Sequence, residues 1–172
     1  MFDEANTPFA NELLVKLKSF IEDRCIPGEE LYARQHEELS ARGKRWSVPP
    51  IIEELKKEAK ALGLWNLFLP RDYAEGRGLT NVEYAQMAEL MGHCHIASEA
   101  CNCNAPDTGN METLAKYGNA EQKKRWLEPL LNGDIRSVFL MTEPRVASSD
   151  AANIETVVER DGDDLVITGR KW

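Results

Sequence analysis

The period of the apolar residues changes once along this chain. Up to about residue 133 they recur every three or four positions, as on one face of an α-helix; beyond it they form a short run and then alternate, as along a strand. Helices followed abruptly by strands fit either an α+β domain or an all-α domain leading into an all-β one. The second is favoured, because the helical stretch alone has a plausible independent size. The expected fold is an all-α N-terminal helical bundle over residues 1–134, followed by the first strands of an all-β domain over residues 135–172.

Local signals place the elements. Thr7-Pro8 offers an N-cap and a proline at the first helical position, and Leu13, Leu17, Phe20 and Ile21 share a face, which predicts a helix over residues 8–31. Residues 34–48 are charged and weakly periodic, so they read as the end of that helix and an exposed connection anchored by Trp46. Pro49-Pro50 opens a second helix that Gly63 stops. Residues 64–69 read as buried extended chain, and residues 70–78 as a surface loop. Thr80 with Glu83 has capping-box spacing, Asp107 is placed to cap the next helix, and Asn119 with Gln122 repeats the box. A further helix carries Trp126, Leu127 and Leu130, kinks or tolerates Pro129, and ends near Gly133. Val138-Phe139-Leu140-Met141 has strand length, and Asp161-Gly162 marks a hairpin answered by Leu165 and Ile167.

Composition removes several classes of function. A chain 42% hydrophobic and 29% charged, without an apolar run of membrane-spanning length, belongs to a soluble globular protein with no membrane span. The net charge of −8 argues against nonspecific nucleic-acid binding but leaves room for a phosphate-bearing cofactor, which responds to local amides and hydroxyls. Four cysteines are too few for a secreted disulfide scaffold, and Met1-Phe2-Asp3-Glu4 is acidic where a mitochondrial presequence is basic. A reducing intracellular setting is expected, its compartment open. His93-Cys94-His95 with Cys101 and Cys103 brings zinc to mind, but Cys-x-Cys on a helix sends its thiols to different faces, so no metal site is expected. No histidine or cysteine sits in a nucleophile–base pattern.

The segment richest in chemistry is Phe139-Leu140-Met141-Thr142-Glu143-Pro144, followed by Ala147-Ser148-Ser149-Asp150. An apolar run ending in Thr-Glu-Pro fixes the backbone, and the small residues after it leave amides and hydroxyls to meet a ring edge or a phosphate. On spacing alone, a polar loop between strands explains it equally well. The segment resembles the flavin loop of the acyl-CoA dehydrogenase family, which reads Thr-Glu-Pro and then Ser-Asp. Trp126-Leu127-Glu128-Pro129-Leu130, Gly133-Asp134-Ile135-Arg136 and Gly169-Arg170-Lys171-Trp172 resemble family segments in the same order. Residues 104–111 are similar to the branch whose larger animal members carry an additional phosphotransferase-like domain. The loop departs from the usual pattern by one extra residue and by Arg145 at a place often small or acidic.

The resemblance implies FAD as cofactor and an acyl-CoA thioester as substrate, oxidised to trans-2-enoyl-CoA. It assigns backbone groups of Phe139 and Met141 to the isoalloxazine and Thr142 to its pyrimidine edge. Ser148 and Ser149 would bind cofactor, with Ser149 serving the pyrophosphate or the substrate's pantetheine. Asn102, Asn104 and Thr108 fall where the family lines its acyl pocket, though capping and side-chain-to-backbone bonds account for them as well. The family's catalytic carboxylate comes from a later helical domain, so no catalytic residue is assigned among these 172. The resemblance further implies a homo-oligomer, dimer or tetramer, and an electron-accepting flavoprotein as partner. Two other readings stay open: a sibling oxidase acting on acyl-CoA or nitroalkanes, and a non-catalytic helical fragment that binds a partner.

Overall fold

The computed structural model describes residues 6–172; the acidic start Met1-Phe2-Asp3-Glu4 lies outside them. The chain divides into two compact units, Met1–Ser137 and Val138–Trp172. The first is helical, and the second carries a two-stranded antiparallel sheet.

In the helical unit α1 (Pro8–Phe20) begins where Thr7 accepts the Ala10 amide, and it buries Ala10, Leu13, Leu17 and Phe20. A π-helical turn, Ile21–Cys25, joins it to α2 (Ile26–Ala41), so the helix continues ten residues past the expected end at 31. Continuous backbone bonding carries it through a stretch whose outward face is polar, which is why periodicity faded before the helix did. Gly28 is the one buried residue of α2. A Cβ built there would lie 3.5 Å from Ile96 Cδ1 and 3.7 Å from Leu55 Cδ1, ordinary contact distances. Gly28→Ala is therefore expected to stabilise the protein by about 0.5–1 kcal/mol through helix propensity. The melting temperature should rise by about 1–4 °C in a thermal melt, and a fall would mean that α2 and α3 cannot accept a methyl between them.

Helix α3 (Pro50–Leu62) buries Ile51, Ile52, Leu55 and Ala59 and closes on Gly63 at φ +76°. Leu64, Leu67 and Leu69 are buried as expected, but residues 64–69 turn instead of extending, with Asn66 at φ +57°. Helix α4 (Asn81–Met91) starts at Thr80 in a complete capping box. After the short α5 (Ala97–Ala100), α6 (Asp107–Tyr117) begins with Asp107 inside the first turn; its side chain does not cap the helix, a correction to the sequence expectation. Asn119 and Gln122 form the second capping box, at α7 (Ala120–Gln122). Another π-helical turn, Lys123–Leu127, leads into α8 (Glu128–Asn132), which ends on Gly133 at φ +75°.

The last carbonyls of α8, which a helix cannot satisfy internally, are taken by side chains from elsewhere in the unit. Leu131 O accepts from Trp65 Nε1 at 2.7 Å and Asn66 Nδ2 at 2.8 Å. Asn132 O accepts from Lys60 Nζ at 2.6 Å, and Leu130 O from Asn102 Nδ2 at 3.1 Å. Lys60 also lies 4.3 Å over the Trp65 ring, and a Cβ on Gly133 would press on that ring at 2.8 Å. These bonds hold the chain where it leaves the last helix.

In the second unit, β1 (Val157–Asp161) pairs with β2 (Asp164–Thr168) from Val157↔Thr168 to Asp161↔Asp164. The connection is Gly162-Asp163, with Gly162 at φ +62°, so the hairpin sits one residue beyond the Asp161-Gly162 expectation. Both strands are exposed along their whole length. The apolar run at residues 138–141 is not a strand, because no partner strand lies alongside it among the described residues. No described helix is long and apolar enough to cross a membrane.

Candidate functional site

The Thr-Glu-Pro segment is organised by its glutamate. Glu143 is 4% exposed, and its two carboxylate oxygens receive four donors. Oε1 accepts from Lys171 Nζ at 2.8 Å, Thr156 N at 2.9 Å and Thr156 Oγ1 at 2.5 Å, while Oε2 accepts from Glu155 N at 2.7 Å. Lys171 and then Thr156 hold this carboxyl down at about 2, against the opposing effect of burial. The Glu143 amide in turn donates to Ser148 Oγ at 2.8 Å, closing the loop on itself. Lys171 Nζ reaches Met141 O at 3.0 Å, and the Trp172 amide reaches Thr142 O at 3.1 Å.

Around this node the residues singled out in the sequence fall into two groups. Phe139 and Leu140 are 65% and 59% exposed, and among the described residues their backbone groups enter no hydrogen bond. Thr142 and Ser149 are exposed. Met141 has its carbonyl engaged by Lys171, and Ser148 is buried with its hydroxyl accepting the Glu143 amide. Arg145 makes an exposed 3.0 Å pair with Glu155, an arrangement worth little in water. A groove of about 450 Å³ runs past Pro144, Arg145, Thr156, Gly169 and Arg170.

The helical unit has its own charged cluster. Asp107, 3% exposed, accepts from Arg136 Nε, the Ser137 amide and the Ser137 hydroxyl. Arg136 also bonds Glu99, which is shared with Lys56 and Asn104. Burial alone would raise both carboxyls, but these partners outweigh it and hold Asp107 and Glu99 ionised. The cluster borders a cleft of about 280 Å³ that Tyr32, His36, Trp46 and His95 also line. Asn104 lines this cleft, whereas Asn102 is buried, at φ +53°, against Asn66 and Leu130 O. The four cysteines are buried free thiols, and burial pushes Cys25 up to about 12 and Cys103 to about 11. Among the described residues no three or more His, Cys, Asp or Glu side chains gather as a metal site.

Residues 10–134 match the family described as acyl-CoA dehydrogenase, N-terminal domain. The chain belongs to the acyl-CoA dehydrogenase family. It is 50% identical over 161 residues to mouse acyl-CoA dehydrogenase family member 11, covering 94% of this chain and 20% of that protein. It is 52% identical over 173 residues to mouse acyl-CoA dehydrogenase family member 10, covering 98% of this chain and 16% of that one. A solved structure from Mycobacterium abscessus, assigned to the acyl-CoA dehydrogenases, superposes with a TM-score of 0.86 at 51% identity, over 96% of this chain and 42% of that one. The chain thus spans about a fifth or less of the length of these animal relatives. Its mostly helical architecture with a C-terminal two-stranded sheet agrees with an acyl-CoA dehydrogenase N-terminal domain and the start of the β domain.

The node itself is not legible in the sequence of this member of the acyl-CoA dehydrogenase family. Glu143 and Lys171 stand 28 residues apart, and no local pattern links them. The only signal was that both fall in family-like segments, Thr-Glu-Pro and Gly-Arg-Lys-Trp.

Proposed function

We propose that this chain forms the flavin-facing N-terminal part of an FAD-dependent acyl-CoA dehydrogenase, with residues 1–134 as the helical domain and residues 135–172 as the opening of the β domain. One observation carries the reading beyond family membership: an exposed apolar segment with unengaged backbone groups, Phe139 and Leu140, sits beside a loop locked by Glu143. A flat aromatic ring with polar edges suits such a surface, since it needs apolar contact and hydrogen-bonding backbone together.

On this reading the backbone of Phe139 and Met141 meets the isoalloxazine, and the Thr142 hydroxyl meets its pyrimidine edge. Ser149 lies open for a phosphate or pantetheine oxygen. Ser148 acts from behind, holding the Glu143 amide so that the loop stays open. When bound, FAD supplies the hydride acceptor for oxidation of an acyl-CoA to its trans-2-enoyl form. Both carboxylate oxygens of Asp107, Glu99 and Glu143 are already taken by protein donors, so the proton acceptor for the α-carbon is assigned outside these residues. A homo-oligomer and an electron-accepting flavoprotein complete the reading.

The test is direct. The whole protein, purified from cells, is expected to be yellow, to release FAD on denaturation, and to reduce an artificial dye only when given an acyl-CoA. Residues 1–172 alone are expected to bind FAD weakly or not at all, because a two-stranded sheet exposed on both faces encloses nothing. A colourless whole protein with no acyl-CoA-dependent reduction would overturn the proposal.

A further inference from the structure

We propose that Glu143 and Lys171 are a positioning pair that sets the Met141 and Thr142 carbonyls for flavin binding, a role that rests on the flavoenzyme reading above. The geometry separates this role from simple support of the sheet. The β1–β2 hairpin has its own ladder and its own two-residue turn, and none of its paired residues bonds Glu143. The donors to Glu143 come instead from Glu155 and Thr156, just before β1, and from Lys171, just after β2.

A loop that merely had to turn could be closed locally, and this one already is, through the Glu143 amide and Ser148. The additional bonds do something else: they fix backbone atoms. Lys171 Nζ spans Glu143 Oε1 at 2.8 Å and Met141 O at 3.0 Å, and the neighbouring Trp172 amide holds Thr142 O at 3.1 Å. Lys171 keeps only a fifth of its side chain exposed and Glu143 almost none, so the pair is shielded from water and directional. The Met141 carbonyl held by Lys171 and the Thr142 carbonyl held by Trp172 lie immediately after Phe139 and Leu140, whose backbone groups enter no hydrogen bond among the described residues. The pair therefore orients one end of a segment whose other end is left to a ligand.

Titrating FAD into the flavin-stripped whole protein tests this. Lys171→Met and Glu143→Gln are each expected to weaken FAD binding by at least about tenfold, since each removes hydrogen bonds to a charged group. The absorption bands of the flavin that still binds should shift, while the apoprotein keeps its far-ultraviolet circular dichroism and so its fold. Lys171→Arg, which retains donors for both oxygens, should recover most of the affinity. If either variant fails to fold, Lys171→Gln takes its place, with the same weakening and band shift expected. Folded variants with wild-type affinity and unshifted bands overturn the pair's role while leaving the flavoenzyme reading intact. A wild-type protein that binds no FAD overturns both.

Discussion

Glu83→Ala is expected to destabilise the helical unit by about 2–4 kcal/mol, because it removes a cap shared by two helices. Glu83 is 1% exposed in the first turn of α4. Its Oε2 accepts the Thr80 amide at 2.8 Å and the Thr80 hydroxyl at 3.0 Å, completing the capping box. Its Oε1 accepts the Thr7 amide at 2.8 Å and the Thr7 hydroxyl at 2.7 Å, and Thr7 is the N-cap of α1. One carboxylate thus begins two helices, Glu83 reaching across 76 residues of sequence to Thr7. A thermal melt should show the variant's midpoint lower by about 5–12 °C, and a drop no larger than that of an ordinary N-cap loss would disprove the shared role.

The same residue gives a pH dependence with a definite sign. The Thr80 and Thr7 amides hold Glu83 at about 2 in the folded chain, below the value near 4.3 of an unfolded glutamate. Its contribution is therefore complete above the unfolded value and is lost as pH falls from about 5 towards 2. The stability gap between wild type and Glu83→Gln should be constant from pH 6 upward and narrow steadily below pH 4.

Gly169→Ala is the second exchange with a large expected effect, this time on retention of the proposed FAD. A Cβ at position 169 would sit 2.8 Å from Thr156 Cβ and 2.9 Å from its Cγ2, and closer still to Oγ1. Rotating the threonine cannot relieve a collision with its own Cβ. The hydroxyl is also committed, at 2.5 Å, to Glu143. Overpacking of this kind costs about 1–3 kcal/mol, which corresponds to a loss of about fivefold to a hundredfold in FAD affinity if the loop must relax before binding. Gly109→Ala is the matched control, since nothing lies within 4 Å of the added carbon. FAD content after gel filtration reports the outcome, and equal content in both variants would show that Thr156 moves freely.

The parts of this fold that were legible in the sequence are those encoded within a few residues. Thr80 with Glu83, Asn119 with Gln122, and the glycines at 63 and 133 each close a helix end by local bonds, and each appears where its spacing placed it. What failed depended on distant partners. Asp107 looked like a cap from its neighbours, but Arg136 and Ser137, some thirty residues on, take both of its oxygens. Residues 138–141 have the composition of a strand, yet a strand exists only beside another. Glu143 stands in the sequence only as the end of an apolar run, because its partner Lys171 lies at the far side of a hairpin. For the candidate site, the sequence drew attention to the Thr-Glu-Pro loop and was silent on what holds it.

The two wide turns of the helical unit carry one more implication. In each the chain bonds five residues back, Ile26 N to Ile21 O and Glu128 N to Lys123 O, and in each a proline follows, Pro27 or Pro129. The ring of a proline has no N–H and crowds the carbonyl four residues earlier, and a turn with one residue extra gives it room. Each such residue also advances the angular phase of everything after it by about 100°. Gly28 faces Leu55 and Ile96 in the phase set by the turn before it. Deleting one residue between Phe20 and Pro27 would rotate the rest of α2 by that angle and swing its polar side onto α3. Variation in chain length among relatives should therefore avoid this short stretch and gather in the connections, where no face has to be kept.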